Sequence, residues 1–271
     1  MKKKKNQLIF SVTMLICLFF AEIFLYIHHK NVIKIPTVAL VKSTPRQTTP
    51  PKTTSPTSLP QNDSTDIYSF FQGPKALEKG LTWSGNWANE YYDGNKFGSF
   101  GCGLCCMANL YCTLSEYVCS PVDMYNYAKE VSNYHPSYGY GAIDWNAMAT
   151  TLNCCGFSTE TKNKPENYSD FQTDIENSLG TVVLVSSRDS DEYWQQTPGH
   201  YVTIWNYDKE NDTVFLTDSG NISHNRDTVP LLTIYNSLKT SAEHQYLVCI
   251  NYNHDQNLWK WNQFSEEWNR P

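Results

Sequence analysis

Cys102 stands between Gly101 and Gly103, directly before the apolar run Leu104-Cys105-Cys106-Met107-Ala108-Asn109-Leu110-Tyr111. Far downstream come Gly199-His200-Tyr201-Val202 and then Thr217-Asp218-Ser219-Gly220. A thiol is a weak nucleophile until it ionises, and the amide dipoles at a helix N-terminus favour its anion. Cys102 holds that position if a helix begins near Gly103, and the flanking glycines permit a tight turn beside the sulfur. A histidine must then take the thiol proton, and a third group must orient the ring. These residue types in this order point to acyl transfer on sulfur.

The elements that position them can be read from the surrounding pattern. Residues 201–207 and 213–217 alternate apolar and polar, and the polar stretch 208–212 separates them, so an antiparallel hairpin is expected. With its turn centred near Lys209 or Glu210, residue 200 falls opposite residues 218–220. His200 and Asp218 then become neighbours across two strands. Upstream, helices are expected over about 103–114, 121–131, 142–153 and 168–179. The second carries Ser120 as a cap and Pro121 in its first turn. The third presents Trp145, Met148, Ala149 and Leu152 at helical spacing. Further strands are expected at 181–185, a continuous apolar run, and at 245–251. Helices first and strands afterwards give an α+β fold.

Several of these segments resemble one family. Gly101-Cys102-Gly103 with Met107 after it is similar to the nucleophile motif of papain-like bacterial cysteine peptidases of the C39-like type. Trp87-Ala88-Asn89-Glu90-Tyr91-Tyr92 with Gly94 resembles that family's Trp-Ala stretch, and Trp145 through Gly156-Phe157 resembles its Trp-x-x-Leu helix and glycine turn. Gly199-His200-Tyr201-Val202 and Asp218 match its histidine strand and third catalytic position. The resemblance spans most of residues 71–220. It implies a papain-like fold, an N-terminal helical part carrying the nucleophile helix, and a C-terminal antiparallel sheet carrying His200 and Asp218. It also implies hydrolysis of a peptide or amide bond through a thioester, with no metal or organic cofactor. Two departures stand out. Leu104-Cys105-Cys106 replaces the family's Pro-Thr-Ser, and no glutamine lies just before the Trp-Ala element. Gln72 is the nearest candidate for the oxyanion donor.

Other readings of the same residues stay open. Cys102-Gly103-Leu104-Cys105 is also a Cys-x-x-Cys at a helix start, as in thiol-disulfide oxidoreductases, although that fold needs a strand directly before the motif. A zinc site from Cys102, Cys105, Cys154 and Cys155 is conceivable, but adjacent cysteines chelate awkwardly. Cys105, Cys106, Cys112 and Cys249 read as small core residues. Trp259, Trp261, Phe264 and Trp268 read as a terminal segment that closes the core. His135, His224, His244 and His254 fall in polar loops or near strand ends and suggest no role.

Three zones follow from composition. Residues 1–30 hold four early lysines and, at 8–27, an apolar run of 20 residues, long enough for one membrane-crossing helix acting as a signal anchor. The lysines precede the run, which places the N-terminus in the cytoplasm and the remainder outside. Residues 31–65 are rich in Pro, Thr and Ser and read as a disordered stalk, extended to about 90 Å. Residues 66–271 are expected to form the peptidase domain. Their charges, 12 basic against 25 acidic, disfavour nucleic acid, whose phosphates would be repelled. The sequence therefore leads to a membrane-anchored extracellular cysteine peptidase with Cys102 as nucleophile, His200 as base and acid, and Asp218 as orienting group. Its substrate would be a peptide or protein. Alternatives are a cell-wall peptide amidase or endopeptidase using the same residues, or a catalytically impaired binding module.

Overall fold

A computed structural model of the chain describes residues 63–136 and 141–271. Its helices are α1 (Pro74–Glu78), α2 (Phe97–Phe100), α3 (Cys102–Leu114), α4 (Pro121–Ser132), α5 (Trp145–Cys154), α6 (Tyr168–Glu176) and α7 (Leu231–Ser237). The strands are β1 (Tyr91–Tyr92), β2 (Asn95–Lys96), β3 (Cys155–Lys162), β4 (Gly180–Val185), β5 (His200–Asp208), β6 (Thr213–Thr217), β7 (Asp227–Pro230) and β8 (Tyr246–Asn257). β1 and β2 form a small hairpin, while the other six make one antiparallel sheet in the order β3-β8-β4-β5-β6-β7.

Side-chain alternation along the central strands explains the layering. Val182, Leu184, Tyr201, Trp205, Leu247 and Cys249 join one buried cluster with the residues of α3, α4 and α5. Val183, Val185, Val202, Ile204, Tyr246 and Val248 join a second, with Phe171 and Ile175 of α6 and Leu231 and Ile234 of α7. A strand with period-2 neighbours on two cores must be apolar throughout, which is why β4 reads Gly-Thr-Val-Val-Leu-Val. The helix α3 is buried from Cys102 to Cys112. A helix apolar all round belongs inside the molecule, and α3 lies against β5.

Local signals hold the helix ends. Ser120 accepts from Asp123 N, and the Asp123 side chain accepts from Ser120 N, a reciprocal cap on α4 that stabilises it by about 1 kcal/mol. Asp144 caps α5 through Ala147 N at 2.9 Å. The C-terminal tryptophans close the core as the composition suggests. Trp259 stacks on Tyr127 at 4.5 Å, and Trp268 joins Tyr68, Phe70 and Trp83.

One expectation for the fold is corrected. The expected architecture is an α+β, papain-like fold with a C-terminal antiparallel sheet, preceded by a transmembrane helix; the structure is likewise α+β, with one six-stranded antiparallel sheet, and the correction concerns the span. Among the described residues no helix is long and apolar enough to cross a membrane. The longest, α3, has 13 residues and so spans about 20 Å against a hydrocarbon core of about 30 Å. The run at 8–27 expected to form the span lies outside the described residues.

Candidate active site

Cys102 is the first residue of α3, with Gly101 as its cap. The glycines beside it serve packing, since neither has positive φ. A Cβ on Gly101 would lie 2.3 Å from the Phe97 ring, and one on Gly103 would lie 2.5 Å from Ile143 Cγ2. Both contacts let the first turn of α3 settle against its neighbours.

His200 opens β5, where it pairs with Val185 of β4. Along the β5–β6 ladder Thr203 faces Thr217 and Ile204 faces Leu216. Extending that register puts Gly220 opposite His200, with Asp218 on the same face two residues away. A Cβ on Gly220 would lie 2.8 Å from His200 Cε1 and 2.9 Å from Nε2. The missing side chain lets the imidazole lean across to Asp218, whose Oδ1 lies 2.8 Å from Nε2. With Nε2 engaged there, Nδ1 is the ring nitrogen left for the Cys102 thiol, whose ionisation the imidazole favours.

Gly220→Ala is therefore expected to displace the ring and, on the peptidase chemistry that the motifs imply, to lower turnover about 100-fold, with a smaller effect on melting temperature. Steady-state kinetics beside a thermal melt would check this; unchanged kcat would show that the ring does not depend on this gap.

Asp218 is fully buried and richly partnered. Its Oδ1 also accepts from Gly220 N at 2.9 Å and Asn221 N at 3.1 Å, and its Oδ2 accepts from Trp194 Nε1 at 2.9 Å. Its own N–H donates to Asn225 Oδ1 at 3.0 Å. Asn225 Nδ2 in turn donates to Ser69 O at 2.9 Å, and Arg226 Nη1 to Ile67 O at 2.6 Å. The loop after β6 is thus stitched to residues 67–72.

The electrostatics follow from this geometry. Burial is the largest influence on Cys102 and opposes its ionisation. The hydrogen bond and charge of His200, with the backbone N–H groups of Tyr201 and Gly103, outweigh it and bring the thiol below its ordinary value. Burial likewise works against a charged His200, but the Asp218 carboxylate and the Cys102 sulfur raise it to about 10. Asp218 is held well below the usual carboxylate range by His200, His224 and Trp194, against the cost of burial. A depressed thiol beside an elevated imidazole describes a thiolate–imidazolium pair. Cys105 and Cys106 behave oppositely, because burial pushes both thiols well above their ordinary value.

Gln72 is buried between the two halves of the site. Its Nε2 donates to Gly98 O at 2.8 Å, and its Oε1 accepts from Ser219 Oγ at 2.8 Å. Its backbone N–H donates to Ser219 O at 2.9 Å. The residue links the segment before Cys102 to the segment after Asp218, and its amide is engaged with Gly98 rather than with the sulfur.

The structure brings Cys102, His200 and Asp218 together and places Gln72 at their margin. All eight described cysteines are unpaired. Cys112 and Cys119 come nearest to a pair, with sulfurs 4.0 Å apart and Cys119 N donating to Cys112 Sγ at 3.2 Å. Among the described residues, no group of three or more His, Cys, Asp or Glu side chains is placed to hold a metal ion.

Two neighbours of Asp218 escaped sequence reasoning. Trp194 lies in an irregular segment with no periodicity to mark it. His224 falls in a polar loop with no sequence signal to mark it, yet its Nδ1 lies 3.6 Å from Asp218 Oδ2. The signal available was the Ser-Gly-Asn run after Asp218, a turn composition that folds the chain back on the carboxylate. No protein-family profile matches the sequence, and a comparison with curated proteins finds no match.

Proposed function

We propose that this chain is a cysteine peptidase of the kind its motifs resemble, cleaving a peptide or amide bond through an acyl-thioester on Cys102. The observation that carries this reading is His200 held at 2.8 Å by the buried Asp218 carboxylate, with a thiol whose ionisation that imidazole favours at the first position of a helix. The thiolate of Cys102 adds to the scissile carbonyl and forms a C–S bond. As the tetrahedral adduct collapses, the C–N bond breaks, and the His200 imidazolium gives its proton to the leaving amine. Neutral His200 then takes a proton from water, whose oxygen attacks the thioester and expels the thiolate. Asp218 stays ionised throughout and holds the ring in the productive orientation.

The developing oxyanion needs donors. A glutamine amide carries two protons, and Gly98 O takes one from Gln72; the other is the candidate donor. Gln72→Ala is expected to lower kcat by about 10²- to 10³-fold. The same change removes the Ser219 contact, so kcat is compared with the thermal melt. A fall in melting temperature with kcat unchanged would assign Gln72 a purely structural role.

The test of the whole reading uses the full-length chain and a panel of fluorogenic peptides, with a peptidyl chloromethyl ketone as inhibitor. Turnover stopped by one equivalent of inhibitor, with the adduct mapped to Cys102, is the expected outcome. An inhibitor that leaves Cys102 unmodified, with no turnover across the panel, would overturn it.

A further inference from the structure

We propose that His224 is a positioning residue for the Cys102–His200 pair, acting through the second carboxylate oxygen of Asp218. The inference rests on the peptidase reading above and adds a residue to it. Asp218 is flanked by two histidines. His200 Nε2 takes Oδ1 at 2.8 Å, while His224 Nδ1 faces Oδ2 at 3.6 Å.

The proton on His224 can be placed by following its other contacts. Asn221 Oδ1 accepts from Ser223 N at 3.0 Å and from Ser223 Oγ at 2.8 Å, which fixes the orientation of the Asn221 amide. Its Nδ2, a donor only, therefore faces His224 Nε2 at 3.3 Å. Nε2 must accept, so a neutral ring carries its proton on Nδ1. That nitrogen is buried and makes no hydrogen bond. A buried N–H without an acceptor is costly, and the acceptor it points towards is Asp218 Oδ2. A closure of a few tenths of an ångström completes the bond.

The surroundings hold the ring in this pose. Tyr193 stacks on it at 4.0 Å and 27°, and Trp194 meets it edge-on at 6.2 Å. The titratable groups around His224 are Asp218 beside it, Tyr193 beneath it with Asp227 behind at 2.9 Å from the Tyr193 hydroxyl, and His200 beyond Asp218. Arg226 is turned away towards Ile67 and Ser69. His224 and Trp194 together occupy the Oδ2 side, so the carboxylate cannot rotate away from His200. Without His224 that side opens to water, the imidazolium loses part of its support, and the thiol reverts towards its ordinary behaviour.

The experiment uses the full-length chain and follows iodoacetamide labelling of Cys102 against pH by peptide mass spectrometry. His224→Ala is expected to move the acid limb of Cys102 labelling up by about one pH unit and to lower kcat about ten-fold at unchanged KM. His224→Gln, which retains an amide donor, is expected to recover part of both. A His224→Ala profile identical to that of the wild type would overturn the inference. A wild-type profile with no acid-shifted reactivity would instead overturn the peptidase reading itself. Nitrogen-15 chemical shifts of His224 in the folded wild-type chain give a check that needs no variant. A proton on Nδ1 is expected, and a proton on Nε2 would overturn the proposal.

Discussion

Replacing Cys102 with alanine is expected to remove peptide turnover, leaving less than about one part in 10⁴ of the wild-type rate. Of the three thiols in the first turns of α3, Cys102 alone combines a helix-start position with an ionisation favoured by the His200 imidazole. The substitution removes the atom that must bond to the substrate, and no neighbouring sulfur can substitute for it. Cys105 and Cys106 are held protonated by burial, so Cys105→Ala and Cys106→Ala are expected to retain turnover. The fold should tolerate the loss at Cys102, since only one heavy atom leaves and His200 keeps its carboxylate partner; melting should correspond to a change within about 1 kcal/mol. Fluorogenic turnover and a thermal melt on the three variants check this together. Residual activity in Cys102→Ala near the wild-type level would move the chemistry elsewhere in the chain.

Asp218→Asn is expected to cost about 10⁴-fold in kcat, as loss of the orienting carboxylate does in other triads. The asparagine keeps the shape but not the charge that stabilises the imidazolium. It also has one acceptor where Asp218 uses two. If its oxygen takes the place of Oδ1, it still accepts from Gly220 and Asn221, but its NH₂ then faces the Trp194 N–H, donor against donor. The buried mismatch should destabilise the fold by about 2 kcal/mol. Kinetics and denaturant titration separate the two effects. A variant with wild-type kcat and a lowered midpoint would reduce Asp218 to a structural residue.

The parts of the site that were legible in the sequence are those set by short-range signals. Cys102 announced itself through the glycines and the apolar run that follows, and His200 and Asp218 through two alternating strands with a polar turn between them. Their pairing survives a complication that the pattern does not show. Between Trp205 and Asp208 the ladder shifts register, and Asn206 takes a positive φ of 50°. The bulge moves the pairing by one residue, within the range 218–220 that the turn geometry allowed. Strand β3 was harder to foresee. The sequence places Gly156 in a glycine turn after the helix, and its φ of 88° suits one. Yet the chain continues straight into pairing with β8, because the backbone there passes so near that a Cβ on Gly156 would lie 2.5 Å from Asn253 O. Helix α7 and strand β7 are short and depend on tertiary contacts with the second core cluster. The ties from residues 67–72 to the loop after β6 join positions more than 140 residues apart. No local pattern encodes such a contact.

The proposed chemistry requires that Cys102 and His200 exist as a thiolate–imidazolium pair before any substrate arrives. Its most direct test is the pH dependence of Cys102 alkylation by iodoacetamide in the wild-type chain, read by mass spectrometry of the Cys102 peptide. Because the thiol is lowered from its ordinary value and the imidazole is raised to about 10, the pair persists between those two limits. Labelling should already be fast below the pH at which an ordinary thiol ionises, and fall only further to the acid side, where the thiolate is protonated. His200→Ala should move the rise of the profile to alkaline pH, at or above the value of about 8.5 for an ordinary thiol, because burial then opposes ionisation without the imidazole to offset it. A wild-type profile that already rises only at that alkaline pH would contradict the ion pair and the mechanism built on it.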